Sequence, residues 1–89
     1  MLNLKEMTQF RKDIKTVKRR GKDLAKLKWI VVELLNERPL DPKYQDHPLI
    51  GNHKGDRDCH IEADWILIYT VIEQELILVR TGTHSDLYR

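Results

Sequence analysis

The hydrophobic period of this chain turns from helical to strand-like past its middle, and that change limits what it can fold into. From Phe10 to Leu35 apolar residues recur every three or four positions: Phe10, Ile14 and Val17, then Leu24, Leu27, Val31, Leu34 and Leu35, with Ile30 widening the second stripe. In three later runs, Arg57 to Glu62, Trp65 to Ile72 and Glu75 to Arg80, the pattern becomes strand-like. The first pattern predicts two amphipathic helices. One follows Thr8 as N-cap and ends where Gly21 can supply a left-handed residue; the other starts near Asp23 and is ended by Pro39. The second pattern predicts three strands, and the short connections at Ala63-Asp64 and Glu73-Gln74 favour antiparallel hairpins. Leu2-Asn3-Leu4 alternate and predict an edge strand. Residues 39–55 contain Pro39, Pro42, Pro48, Gly51 and Gly55, too many breakers for a regular element, and read as a loop of functional length. The helical hairpin needs a sheet to cover its apolar side, so the expected fold is α+β in two layers, ordered β-α-α-β-β-β. With 89 residues it is expected to be one domain, 1–89, because there is no room for a second core.

Side chains alternate across a strand, so Asp58 and His60 share one face while Cys59 and Ile61 share the other. One face is expected to be core and the other an open polar surface. Asp64 and Trp65 open the neighbouring strand, Arg80 ends the third, His84 follows just beyond it, and His47 lies in the breaker-rich loop. An imidazole with an ordinary pKa of ~6.5 can give or take a proton at neutral pH. Hence His47, Asp58, His60, Asp64 and His84 are candidate acid/base residues. Arg80 can hold a phosphate bidentately, or it can pair with a nearby carboxylate. Trp65 and Tyr69 share a face of the central strand and fit either a core or a stacking platform for single-stranded RNA, and Tyr88 is open to the same two readings.

Other classes of chemistry find less support. The single cysteine, Cys59, excludes an intramolecular disulfide and sits at a core-facing position, as expected of a packed thiol in a reducing cytoplasm. There is no His-x-x-x-His helix, cysteine pair or cluster of carboxylates, so neither a metal nor another cofactor is expected. No apolar stretch approaches the ~20 residues that span a bilayer, so a soluble cytoplasmic protein is expected. The net charge of +2 hides an asymmetry: residues 1–28 hold ten Lys and Arg against three acids, while the remainder holds six against eleven. Lys15, Lys18, Arg19, Arg20, Lys22 and Lys26 therefore suggest a polyanion partner, an acidic protein partner or a solvated helix face.

The run Tyr44-Gln45-Asp46-His47-Pro48-Leu49, then Gly51 and Lys54-Gly55, then Arg57 through Tyr69, and finally Arg80-Thr81-Gly82-Thr83-His84, resembles the YafQ branch of the RelE/ParE superfamily of bacterial toxins. The similarity extends over nearly the whole chain. It implies a ribosome-dependent mRNA endonuclease held inactive in a hetero-oligomer with a cognate antitoxin; that it works without a metal is expected from the lack of a carboxylate cluster and from a histidine set suited to proton transfer. It also implies a helical hairpin on a small sheet. The residues that match the family's functional set are His47, Asp58, His60, Asp64, Trp65 and His84, with Arg80 on the scissile phosphate. Tyr88 stands in the place of a functional C-terminal aromatic, Lys54 is a further RNA contact, and no catalytic role passes to His53. For cleavage by the RNA's own 2′-hydroxyl, His60, tuned by Asp58, is the first choice of base, and His84 is the candidate acid, with Asp64 a close alternative and His47 able to assist at either end. The runner-up is a non-catalytic ParE-type toxin that poisons DNA gyrase; such toxins lack the His/Asp set.

Overall fold

The computed structural model describes residues 1–88. It contains β1 (Asn3–Glu6), α1 (Thr8–Arg19), α2 (Leu24–Leu35), β2 (His47–Pro48), β3 (Arg57–Glu62), β4 (Trp65–Ile72), β5 (Glu75–Gly82) and α3 (His84–Leu87). The five strands lie in the order β1-β5-β4-β3-β2, with β1 parallel to β5 and every other pair antiparallel. The two long helices pack on one face, giving the α+β, two-layer architecture expected. Among the described residues no helix is long and apolar enough to cross a membrane.

Local chemistry sets the ends of the helices. At the end of α1 Gly21 takes φ 84°, its N–H donates to Lys18 O at 3.0 Å, and Lys22 N–H donates to Val17 O at 3.1 Å, which satisfies carbonyls the helix would otherwise leave open. Glu37, φ 56°, closes α2 in the same way ahead of Pro39: its N–H donates to Leu34 O and the Arg38 N–H donates to Glu33 O. Asp23 caps α2 by accepting from the Ala25 N–H at 3.0 Å. Thr8 is not the N-cap of α1. That place falls to Met7, and no side chain caps it.

Phe10, Val17, Leu27, Ile30, Val31 and Leu34 lie against Cys59, Ile61, Trp65, Leu67, Tyr69, Leu76 and Leu78 to form the main core. Trp65 is 1% exposed, and its Nε1–H donates to Thr81 Oγ1 at 2.9 Å, while that hydroxyl donates to Ile66 O at 2.7 Å. Tyr69 is 2% exposed, with its hydroxyl on Asp46. Of the two readings open for these aromatics the structure takes the core. Trp65 faces the helices and offers no surface to a base, which corrects its assignment as an RNA contact.

The opposite face is not left open either. Ile66 and Ile68 pack with Leu87 of α3 and with Leu49 and Val79, a small second core, so β4 is covered on both sides. The loop 39–55 also holds more structure than its breakers predict, with 3-10 turns at Pro42–Tyr44 and Gly51–His53 and the two-residue β2 between them. A proline is tolerated there because an edge strand needs its hydrogen-bonding groups on one side only. This pairing sets His47 opposite Asp58.

Candidate active site

The site lies on the face away from α1 and α2, above the second core, and α3 brings half of it. A single helical turn has little stability of its own. Here it is fixed at three points. Thr83 and Asp86 form a capping box: Thr83 Oγ1 accepts from Asp86 N–H at 3.1 Å, and Asp86 accepts from Thr83 N–H at 2.9 Å. Leu87 enters the second core. Arg20, just past α1, donates to both carboxylate oxygens of Asp86 at 2.6 and 3.3 Å. That guanidinium, with the Thr83 N–H, holds the Asp86 carboxyl well below the usual carboxylate range. Residue 82 must be small, since a Cβ there would sit 2.8 Å from Asp86 Oδ2.

His84, at the start of α3, is exposed, and Asp64 in the β3–β4 turn holds it twice. Asp64 Oδ1 accepts from the His84 backbone N–H at 2.9 Å and lies 2.7 Å from Nδ1. The first of these contacts, then the second, lowers the Asp64 carboxyl below its ordinary value. Asp64 is therefore an ionised acceptor at neutral pH, so Nδ1 carries a hydrogen toward it and Nε2 is the ring nitrogen not committed to Asp64. His60 of β3 stands beside it, with ring centroids 5.3 Å apart at 68°.

Asp58 is on the same strand face as His60 but is 4% exposed, so that part of the face is not open. Its hydrogen bond goes elsewhere than to His60: Tyr88 Oη donates to Oδ2 at 2.6 Å, while Oδ1 lies 3.2 Å from His47 Nδ1 and has no hydrogen-bond partner among the described residues. The expectation that Asp58 tunes His60 is thus corrected, and Asp58 instead joins β2, β3 and the end of α3. Burial first, then Asp58, pushes the Tyr88 phenol upward, so it keeps its proton and acts as a donor. His47 Nδ1 also lies 2.5 Å from Gln45 O. The His53 ring meets Tyr88 edge-on at 5.7 Å, and Tyr88 lies 6.2 Å from His84. His53 is the residue that sequence reasoning set aside. Its place in the same breaker-rich loop as His47 is the one signal that could have singled it out.

Other candidates fall outside this cluster. Arg80 follows a bulge at Val79, where β5 gains a residue against Ile68 and Tyr69, and it reaches α1. There its Nε and Nη2 donate to Asp13 at 2.8 and 3.1 Å, beside a cavity of about 320 Å³ that also touches Ser85 and Asp86. Two of its five N–H groups are thus taken by a carboxylate, as its second reading expects, and three donors remain for the first. Lys54 is exposed after the Gly51–His53 turn. Three of the six cations assigned to docking are paired with carboxylates within the chain, and Arg19 donates to Thr16 Oγ1 at 3.4 Å. Arg20 holds Asp86, while Lys22 and Lys26 hold Glu62 at 2.9 and 2.8 Å. Lys15, Lys18 and Arg19 remain on the exposed side of α1.

Comparison with known proteins gives a consistent result. Residues 2–89 match the family described as the bacterial toxin of type II toxin-antitoxin systems, YafQ. The mRNA interferase toxin YafQ of Escherichia coli (strain K12) is 48% identical over 81 residues, covering 90% of this chain and 88% of that protein. Among solved structures, YafQ in the E. coli DinJ-YafQ complex superposes with a TM-score of 0.92 at 43% identity, covering 100% of both chains. A copper-bound mutant toxin from Helicobacter pylori superposes with a TM-score of 0.95 at 42% identity, covering 99% of this chain and 100% of that one. By sequence along almost its entire length and by fold, this chain belongs to the YafQ family of bacterial toxins of type II toxin-antitoxin systems.

Proposed function

We propose that this chain is an endoribonuclease that cuts mRNA on the ribosome, using side chains alone, and that it is held in check by an antitoxin in the cytoplasm. The observation that carries the reading is the pair of imidazoles, His60 and His84, side by side on one face with Asp64 fixing one of them. RNA cleavage by its own 2′-hydroxyl requires one group to take a proton and another to give one. His60 removes the 2′-OH proton, the oxygen bonds to phosphorus, the bond from phosphorus to the 5′-oxygen breaks, and His84 Nε2 protonates that oxygen. The products are a 2′,3′-cyclic phosphate and a 5′-hydroxyl. The Asp64 carboxylate against Nδ1 offsets the charge that His84 carries as an imidazolium, which favours His84 as the acid. Asp58, through Tyr88 and His47, positions the surrounding face. Arg80 donates two of its five N–H groups to Asp13, and those remaining suit the phosphate as charge builds on it.

The copper-bound relative raises the question of a metal here. Among the described residues no three His, Cys, Asp or Glu side chains converge to hold one, and His84 Nδ1 is already committed to Asp64. For the ribosome, the exposed cations Lys15, Lys18 and Arg19 supply a surface for RNA phosphates. The antitoxin reading is supported by the E. coli relative, which was crystallised as a DinJ-YafQ complex.

The test is incubation of the purified chain with mRNA-programmed ribosomes and with the same mRNA free, each with and without a chelator dosed to leave ribosomes intact. Cleavage of bound message only, chelator-resistant, with cyclic-phosphate ends, is expected. Inhibition of DNA gyrase without RNA cleavage would overturn the reading.

A further inference from the structure

The buried positions of Trp65 and Tyr69 leave the site without the aromatic platform that single-stranded RNA commonly uses, yet beside it stand an exposed Trp29 and a half-buried Tyr44 that leans on the main core. A groove of about 580 Å³ runs from His60 between the edge of β3, the Pro42–Tyr44 turn and α2. Its walls include Lys26, Trp29, Lys43, Tyr44 and Glu62. Its volume is within the range of about 300–1,000 Å³ typical of sites for small ligands. Trp29 is 51% exposed, the largest apolar side chain left open to solvent, and its ring centroid is 5.9 Å from that of Tyr44 at 38°. The helix does not need it there, because Leu27, Ile30, Val31 and Leu34 already form the core stripe of α2.

Two features decide the occupant. The groove is continuous with the acid/base face: β2 covers β3 only at Arg57 and Asp58, so nothing in the sheet lies outside His60, and His60 is itself a wall of the groove. Its charge suits a phosphodiester. Glu62, the one carboxylate of its wall, is neutralised by Lys22 and Lys26, and the Lys43 ammonium stands 5.2 Å from the Tyr44 ring.

We propose that Trp29 and Tyr44 are a stacking subsite for the base of a nucleotide flanking the scissile phosphate, with Lys43 on that nucleotide's phosphate. The proposal rests on the ribonuclease reading above and names where its substrate continues. The site would be tolerant of base identity, because stacking reads a π-face and not a hydrogen-bonding edge.

Two measurements test it on the intact chain. In the first, a nine-nucleotide single-stranded RNA of mixed sequence, fully 2′-O-methylated and so uncleavable, is titrated while tryptophan emission is followed. Quenching in the parent, and affinity about 5- to 150-fold weaker in Trp29→Ala and Tyr44→Ala, is expected, with Trp29→Phe close to the parent by competition. In the second, kcat/KM on programmed ribosomes should fall in the same two alanine variants and recover in Trp29→Phe, with thermal unfolding unchanged in the Trp29 variants. Parental affinity and parental kcat/KM in both alanine variants would overturn the subsite while leaving the ribonuclease reading intact. Loss of antitoxin binding with unaltered RNA binding would also overturn it, by making the groove a protein interface. If the parent cleaves nothing, the ribonuclease reading fails, and the titration still decides whether the groove holds RNA.

Discussion

Asp86→Ala should cost this protein much more activity than stability, because what Asp86 holds is the turn that carries His84 and Tyr88. The substitution removes the acceptor of the Thr83 N–H bond, 2.9 Å, and both bonds from Arg20, at 2.6 and 3.3 Å. Loss of a helix cap costs about 0.5–2 kcal/mol. In a domain of this size each kcal/mol lowers Tm by about 4–8 °C, so a fall of about 2–15 °C is expected. The main core does not include Asp86, so the deficit falls on α3, whose single turn cannot persist unaided. One or two kcal/mol changes a two-state population by about 5- to 30-fold, and the saturating single-turnover rate should drop by up to that factor. Thr83→Ala should shift both quantities the same way, to a lesser degree. The Asp86 carboxyl is depressed in the folded chain, so its contribution is complete above the ordinary carboxylate pKa, ~3.9, and is lost only as pH falls below that toward its folded value. Loss of activity between pH 8 and 6 therefore does not come from Asp86. Rate measurements on saturating programmed ribosomes, set beside thermal circular dichroism, make the comparison. A parental rate in a variant whose Tm has fallen would refute the idea that this cap holds the catalytic turn.

Other consequences follow from burial and charge. Cys59 is fully buried, and burial, with Asp46 and Asp58 nearby, pushes its thiol up to about 12, so native protein should resist iodoacetamide at pH 8 and label fully in urea; rapid native labelling would contradict the packing. Trp65→Ala should cost about 3–5 kcal/mol by urea unfolding, and Trp65→Phe much less with activity retained; a stable but inactive Trp65→Ala would return this residue to the site. Reversing Lys15, Lys18 and Arg19 to Glu should weaken ribosome binding and flatten its salt dependence by roughly 0.7–0.9 in log–log slope for each lost contact, with the saturating rate kept. An unaltered slope would place the ribosome contact elsewhere.

The elements that a strong period and a single cap define were legible in the sequence. β3 and β4 occupy the residues predicted, β5 runs two further to Gly82, and Gly21 and Asp23 mark the break between the long helices. What the sequence hid depends on which distant segments meet. Both sets of alternating residues on β4 are apolar, so its period could not say whether Trp65 or Ile66 faces the helices. The second core needs Leu87, which lies on a helix too short to announce itself, and that helix also brings Tyr88 to Asp58. Nothing local shows that Asp58 will accept from Tyr88 and lie beside His47, or that Arg20, Lys22 and Lys26 will tie the helical hairpin to Asp86 and Glu62. Residue types and strand parity pointed to the polar face, whereas its wiring is tertiary.

The division of labour between His60 and His84 is tested most directly with message carrying sulfur in place of the bridging 5′-oxygen at the cleavage position. Sulfur leaves without needing a proton, so the substitution removes the demand for an acid and leaves the demand for a base. On programmed ribosomes at saturation, His84→Ala and His60→Ala should both be crippled on ordinary message, by about 10²- to 10⁴-fold each. On the sulfur-bridged message His84→Ala should return close to the parental rate, and His60→Ala should stay slow. Rescue of His60→Ala instead would reverse the two roles. Rescue of neither, with both variants folded, would contradict the account that His84, held by Asp64, protonates the leaving oxygen.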